Sequence, residues 1–184
     1  SKWFNTTQTI TASFITTEGC GEKLQYKVDE AAWTDGASVT INAEGKYAVS
    51  FRVIDDLGRT SEVQTAQVNL DKTAPTSAKI TVQDREFTQF LNTITFGAFF
   101  KETVNVVISA DSNISGVNKI EYQKVSKESD YNANGTWTSG SSFNVSPDEK
   151  FIIYARITDN ADNYVIINSD GVIVDATKPA LALT

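Results

Sequence analysis

The chain has 184 residues and a net charge of −7, and 40% of its residues are hydrophobic, which is enough apolar material for two modest cores. An acidic surface repels a phosphate backbone, so we do not expect nucleic-acid binding. The sequence has no histidine, which excludes imidazole zinc sites and serine–histidine–aspartate triads. No apolar run approaches the roughly 20 residues that span a bilayer. We therefore expect no catalysis, no cofactor and no membrane insertion.

Cysteine and methionine usage adds two expectations. Cys20 is the only cysteine, so no disulfide can form within the chain, and we interpret it as an unreactive loop residue between Gly19 and Gly21. The chain contains no methionine, and we interpret it as a monomeric fragment of a longer repeat protein.

The first part of the chain is patterned for short strands. Tyr47, Val49 and Phe51 alternate with polar or small residues, as a half-buried strand requires, and the run 24–28 alternates in the same way. Turn residues such as those at 55–58 separate these runs at intervals of about 8–12 residues. This spacing predicts a β-sandwich.

The segment 76–101 begins the second part of the chain. Residues 79–82 predict its first strand, and Asp84 is then placed to cap a helix. The apolar residues that follow fall at the spacing of one helical face, and they are Phe87, Phe90, Leu91 and Ile94. We therefore predict a short helix near the start of this part.

The second part repeats the first. The motif Asp-x-Thr-x-Pro occurs at 71–75 and again at 175–179, which is 104 positions later. Tyr26 and Tyr122 match at an offset of only 96, so eight residues are inserted into the second copy after Tyr122. We place this insertion in the polar stretch 126–136, because surface loops tolerate added length.

The second copy resembles a known class of repeat. The features are the stretches 116–122 and 154–163, Trp137, which matches Trp33, and the tail 175–179. They resemble the bacterial immunoglobulin-like repeats of large Gram-positive cell-surface proteins, of the kind found in gut Firmicutes. The resemblance implies tandem immunoglobulin-like β-sandwiches, export to the bacterial cell surface or cell wall, and no catalysis.

The repeat and the resemblance together predict an all-β chain of two tandem immunoglobulin-like β-sandwiches. The first domain covers 1–75 and is an N-terminally truncated copy. The second covers 76–179 and carries the predicted helix and the longer mid-domain loop. Residues 180–184 begin the next linker or repeat. Proline at each domain end cannot continue a sheet ladder, which suits a boundary.

An acidic turn is a candidate metal site. Asp159 and Asp162 lie close together, with Asp175 downstream, and carboxylate oxygens are ligands that calcium prefers. The alternative is an ordinary hairpin turn, because aspartate and asparagine favour turns. Related repeats usually have glycine at the position of Asp162, so this turn departs from the family pattern.

Two segments are candidates for partner binding. Loops on a rigid sandwich commonly carry recognition, and tyrosine with short polar residues suits it. In the inserted loop the candidate residues are Tyr131, Asn132 and Asn134. On the outward face of the predicted helix they are Arg85, Thr88, Gln89 and Asn92.

Three functions remain open from the sequence. The favoured one is adhesin-like binding of a host protein, such as a glycoprotein or an immunoglobulin, because the longer loop makes the two copies unequal. The alternatives are a passive spacer in a surface protein and a carbohydrate-binding accessory module. The sequence also leaves open whether a covalent lysine–asparagine isopeptide bond stabilises either copy.

Overall fold

The computed structural model describes residues 2–16, 19–111 and 114–182. Within it the chain divides into two compact units, Ser1–Thr73 and Ala74–Thr184, called unit 1 and unit 2 below. The sequence-based boundary between residues 75 and 76 stays a prediction. The last two residues of the predicted segment 180–184 lie outside the described part.

The prediction of an all-β chain is confirmed. In the described ranges the single helical element is a 3-10 turn at Glu128–Asp130, and all other regular elements are strands. No helix in those ranges is long and apolar enough to cross a membrane.

Unit 1 has seven strands in its described part. They are β1 (Trp3–Phe4), β2 (Gln8–Thr11), β3 (Lys23–Val28), β4 (Thr34–Asp35), β5 (Ser38–Ile41), β6 (Gly45–Ile54) and β7 (Gln64–Leu70). One sheet has the order β1-β7-β6-β3-β4, and β2 pairs with β5 in a second sheet. Ile41 of β5 packs with Val49, Phe51, Val68 and Leu70 of the larger sheet, so one core holds the two sheets together.

Unit 2 has ten strands in its described part. They are β8 (Thr76–Val82), β9 (Arg85–Phe87), β10 (Ala98–Phe100), β11 (Val104–Asp111), β12 (Val117–Val125), β13 (Thr138–Ser139), β14 (Ser142–Val145), β15 (Glu149–Asp159), β16 (Tyr164–Asn168) and β17 (Val172–Val174). One sheet has the order β10-β17-β15-β12-β13, with β16 also paired to β15, and the other has the order β14-β11-β8-β9.

The two sheets of unit 2 pack face to face. Along β15, Phe151, Ile153 and Ala155 point into the core because alternate residues of a strand share a face. They meet Ile80 and Val106 from the opposite sheet, and all five residues are fully buried. Unit 2 is therefore a two-layer β-sandwich.

The strand pairing of unit 1 recurs in unit 2 at the positions matched by the sequence repeat. Ile10 pairs with Val39, and the matched Val106 pairs with Phe143. β1 lies parallel to β7, and β10 lies parallel to β17 in the same register. The two units thus share one frame, to which unit 2 adds β8 and β9.

The predicted helix after Asp84 is wrong. Arg85–Phe87 is strand β9, which turns back onto β8 through Gln83, whose φ is 55°, and residues 88–97 form a loop. Threonine and asparagine are poor helix formers and are frequent in this segment. The spacing that suggested a helix instead reflects separate contacts, because Phe87 packs on the core while Phe90 does not.

Candidate functional site

An aromatic cluster lies on the outer face of the larger sheet of unit 2. Tyr154 alternates with the core-facing Ile153 and Ala155, so its side chain points away from the core, yet it is only 1% exposed. The covering groups come from two segments, the loop 88–97 and the inserted loop. We call Phe90, Tyr131, Trp137 and Tyr154 the aromatic platform.

Ring contacts hold the platform together. The rings of Tyr131 and Tyr154 stack at a centroid distance of 3.8 Å and an angle of 9°. Phe90 lies 6.0 Å from Tyr154 and 6.5 Å from Tyr131, in tilted contacts. Trp137 meets Tyr131 edge-on at 6.2 Å. Such contacts are worth about 0.5–1.5 kcal/mol each beyond the area they bury, so they fix both loops to the sheet.

Two buried amides anchor the backbone of these loops. The Asn168 side chain accepts a hydrogen bond from the Leu91 N–H and donates one of 3.1 Å to the Leu91 carbonyl. Gln123 donates one of 2.7 Å to the Asn132 carbonyl and accepts one from the Asn132 N–H. Each side-chain amide accepts from the N–H of one loop residue and donates to the carbonyl of the same residue. These paired bonds hold the loop against the outer face.

A charged group supports Trp137. The Arg156 guanidinium lies over the Trp137 ring at 4.5 Å and donates to the Glu121 carboxylate at 2.9 Å. Lys119 also pairs with Glu121, at 2.6 Å. Burial alone would raise the pKa of Glu121, but the hydrogen bonds from Lys119 and Arg156 hold it below its ordinary value.

Part of this support is common to both units. In unit 1 the Arg52 guanidinium lies over Trp33 at 4.2 Å and donates to the Gln25 side chain at 3.0 Å. Trp137 therefore occupies a shared structural position. The stacked tyrosines have no such equivalent, because Ser50 stands where unit 2 has Tyr154.

The predicted partner-binding residues divide between two places. Tyr131 is a member of the platform, and Asn132 and Asn134 are exposed beside it in the inserted loop, where the Asn132 side chain accepts from the Asn134 N–H at 2.9 Å. The other four predicted partner-binding residues are also exposed: Arg85, Thr88, Gln89 and Asn92. Arg85 lies on β9 of the smaller sheet, whereas Asn92 follows Leu91, which is bound to the larger sheet.

Sequence reasoning missed several residues of this site. Tyr154, Gln123 and Asn168 hold the two loops, and Phe90 is 44% exposed. Tyr164 is 59% exposed on the same outer face, since its neighbour Val165 contacts the core. Comparing the two copies position by position could have identified Tyr154, because the first copy has Ser50 at the matched position.

The acidic turn is a hydrogen-bonded hairpin in both units. The buried Asp159 carboxylate accepts from the N–H groups of Ala161 and Asn163 at 2.8 and 2.9 Å. Asp162 has a φ of 67°, which glycine adopts readily, and the matched Gly58 has a φ of 80°. Asp175 accepts from the Thr177 N–H. Across residues 2–16, 19–111 and 114–182, no three acidic or cysteine side chains are grouped to hold a metal ion.

One lysine–asparagine contact occurs in unit 1. The Lys72 ammonium lies 2.7 Å from the Asn42 side-chain oxygen and 3.1 Å from the Thr7 hydroxyl, and all three residues are exposed. This contact is a surface hydrogen bond between the Lys72 and Asn42 side chains.

Comparison with solved structures finds chains that are similar over most of their length at low sequence identity. The fibronectin type III-like modules of Clostridium thermocellum CbhA match with a TM-score of 0.41 and 12% identity, over 100% of this chain and 93% of theirs. The D00-D0 domain of intimin matches with a TM-score of 0.38 and 15% identity, over 93% of each chain. No protein-family model matches the sequence. No curated protein matches it either.

Proposed function

We propose that the chain is a non-catalytic module of a bacterial cell-surface protein, and that the aromatic platform of unit 2 binds a host protein. One observation carries the proposal. The loop 88–97 and the inserted loop are fixed side by side on the outer face of a sheet, through the outward Tyr154 and the buried amides of Gln123 and Asn168. A sheet that served only as a spacer would not need this second layer.

The chemistry of the platform suits protein recognition. Phe90 and Tyr164 present exposed aromatic surface, and the two loops carry exposed amides at Asn92, Asn132 and Asn134. Protein interfaces are enriched in aromatic anchors within a polar rim, and tyrosine with asparagine provides contact area at a small cost in side-chain entropy. Burial raises the pKa of Tyr131 and Tyr154, so both phenols remain neutral donors at physiological pH.

The test is a binding assay with the immobilised chain. Immunoglobulins, extracellular-matrix proteins, mucin and a glycan array are passed over it, and the variant Phe90→Ala is compared with Leu57→Ala, which removes a 73% exposed side chain from unit 1. We expect a protein ligand whose affinity falls at least about tenfold in Phe90→Ala and is unchanged in Leu57→Ala.

Other outcomes would point to other functions. Binding to nothing at high micromolar concentration would support a spacer, and binding to glycans alone would support a carbohydrate-binding module. A protein ligand that tolerates both Phe90→Ala and deletion of residues 127–134 would place the contact away from the platform.

A further inference from the structure

The inserted loop contains a chemically reactive pair of residues. Asn134 precedes Gly135, and no other asparagine of the 184-residue sequence is followed by glycine. A backbone nitrogen can attack the side-chain carbonyl carbon of the asparagine before it, and a side chain on the attacking residue hinders that approach. Glycine has no side chain, so it leaves the path open. Asn134 is therefore the asparagine whose neighbour obstructs this attack least.

The geometry of the loop favours glycine at position 135. A Cβ atom added to Gly135 would lie 3.1 Å from the carbonyl oxygen of Asn132 and 3.3 Å from its Cβ atom, which is closer than most side chains pack. Asn134 itself is exposed, and its side-chain amide has no hydrogen-bond partner among the residues that the structure describes. The loop thus combines a solvated amide with a neighbour that is kept small.

Hydrogen bonds hold the loop closed and restrain the reaction. The Asn132 carbonyl accepts from the Gly135 N–H at 2.9 Å and from the Gln123 side chain at 2.7 Å. The Ala133 carbonyl accepts from the Trp137 indole at 3.2 Å. Because the Gly135 nitrogen is bound to Asn132 in the closed loop, the attack requires local opening. The bonds to the two carbonyls set how often the loop opens.

We propose that Asn134 is a site of spontaneous deamidation, and that anchoring of the loop by Gln123 controls its rate. In the open loop the Gly135 nitrogen loses its proton to solvent base and attacks Cγ of Asn134. A C–N bond forms, the Cγ–Nδ2 bond breaks, and ammonia leaves, which gives a cyclic succinimide. Water then opens the ring. Opening at Cγ gives aspartate, and opening at the backbone carbonyl gives isoaspartate, in which the chain runs through Cβ and Cγ.

The two products affect the loop differently. Aspartate keeps the length of the backbone and adds one negative charge. Isoaspartate inserts one atom into the backbone between Asn134 and Gly135. Two hydrogen-bonded turns enclose that link, one closed by the Gly135 N–H and one closed by the Trp137 indole, and both lose their present geometry when the backbone lengthens. This inference concerns a covalent modification and does not depend on the proposed function of the platform.

The experiment incubates the full chain for several weeks at physiological temperature and follows each asparagine by mass spectrometry after digestion under mildly acidic conditions. We expect Asn134 to become a mixture of aspartate and isoaspartate. Asn92 and Asn132 are also exposed but are followed by threonine and alanine, so they should react much more slowly. The rate at Asn134 should rise steeply between about pH 7 and about pH 9, because the attack needs a deprotonated nitrogen.

The variant Gln123→Ala tests the control of the rate. It removes two hydrogen bonds to Asn132, so we expect amide exchange at Gly135 and deamidation of Asn134 to become at least about fivefold faster. The control Asn105→Ala removes an exposed hydrogen bond of the smaller sheet and should change neither rate. A synthetic peptide of residues 128–138 lacks the anchor and gives the unrestrained rate without relying on a folded variant.

Several results would overturn the proposal. The site is wrong if Asn134 in the full chain stays an amide for as long as Asn92 does. The control by anchoring is wrong if the folded chain reacts as fast as the peptide. It is also wrong if Gln123→Ala accelerates amide exchange at Gly135 but leaves deamidation unchanged.

Discussion

The outer faces of the two units differ at the position of Tyr154. In unit 1 the Ser50 hydroxyl bonds to the Thr65 hydroxyl at 2.9 Å across neighbouring strands. In unit 2 the matched Tyr154 offers an aromatic face, on which Tyr131 stacks and against which Phe90 packs. Replacing a hydroxyl by a large ring at this position gives the sheet a surface that can hold loops in place.

Glu121 makes unit 2 sensitive to acid in a way that can be measured. Its folded-state pKa lies below the value of about 4.3 that a glutamate has in an unfolded chain. The ionised form therefore stabilises unit 2 above that pH, and this stabilisation is lost as the pH falls through the lower, folded-state pKa. We expect Glu121→Gln to lower the free energy of unfolding at pH 7 by about 1–2 kcal/mol, and the difference from wild type to shrink below about pH 4.

The control for this prediction is Glu86→Gln. Glu86 pairs with Lys79 at 2.8 Å, but its side chain is 55% exposed, so the substitution should change the stability by only about 0–1 kcal/mol. Denaturant titrations at several pH values would measure both variants. A pH-independent effect of Glu121→Gln would show that its ion pairs do not set the acid sensitivity.

The sequence predicted Tyr131 as a site residue but not Tyr154. Tyr131 was accessible to prediction because it lies in an inserted polar loop, where recognition residues are common. Tyr154 lies in the run Phe151-Ile152-Ile153-Tyr154, which is apolar on both faces, so alternation alone could not show that Tyr154 points outward. Its role depends on loops that fold over it from distant parts of the chain.

At the scale of elements, the strands were predictable and the loop 88–97 was not. The alternation around Val49 and Phe51 correctly predicted β6, because half-buried strands have a period of two. The apparent helical period of Phe87, Phe90 and Leu91 was misleading, because Phe87 packs on the core, whereas Phe90 contacts Tyr154 on the outer face and the Leu91 backbone bonds to Asn168. Side-chain hydrogen bonds to the sheet, rather than local periodicity, determine this conformation.

Asn168 should control the order of that loop. Its side chain is fully buried and pairs with both backbone groups of Leu91. We expect Asn168→Ala to destabilise unit 2 by about 1–3 kcal/mol, because these groups lose their partners, and to accelerate amide exchange at Leu91. The control Asn105→Ala removes an exposed side-chain hydrogen bond to Asn144 and should leave exchange in the loop unchanged. Unchanged exchange at Leu91 in Asn168→Ala would show that the aromatic contacts suffice.

At the scale of the molecule, the two units differ in the size of their cores. Among the residues that the structure describes, five buried hydrophobic residues form the core of unit 1, and fifteen form that of unit 2. Buried apolar area is the main favourable term in folding, so unit 2 should be the more stable. The shared frame follows from the sequence repeat, but the difference in core size depends on which residues the packed sheets bury, and the repeat does not show this.

We therefore expect two thermal transitions, with unit 1 unfolding at the lower temperature. Calorimetry of the full chain would resolve them, since chains of several domains commonly depart from two-state behaviour. Limited proteolysis near the junction at 73–74 should release fragments that keep their own transitions. A single cooperative transition, with no fragment folded after cleavage, would contradict independent folding.

The parallel pairing of β1 with β7 also determines how unit 1 carries mechanical tension. Opposite pulls at Trp3 and Leu70 slide the two strands along each other, so their hydrogen bonds are loaded together in shear. An antiparallel hairpin pulled at its ends opens one bond at a time. In unit 2, β10 and β17 repeat the parallel geometry, with a further bond from the Asp175 N–H to the Phe100 carbonyl. Unit 1 thus places a shear-loaded pair beside its Asp-x-Thr-x-Pro motif, whereas β10 of unit 2 lies inside its unit, after β8 and β9.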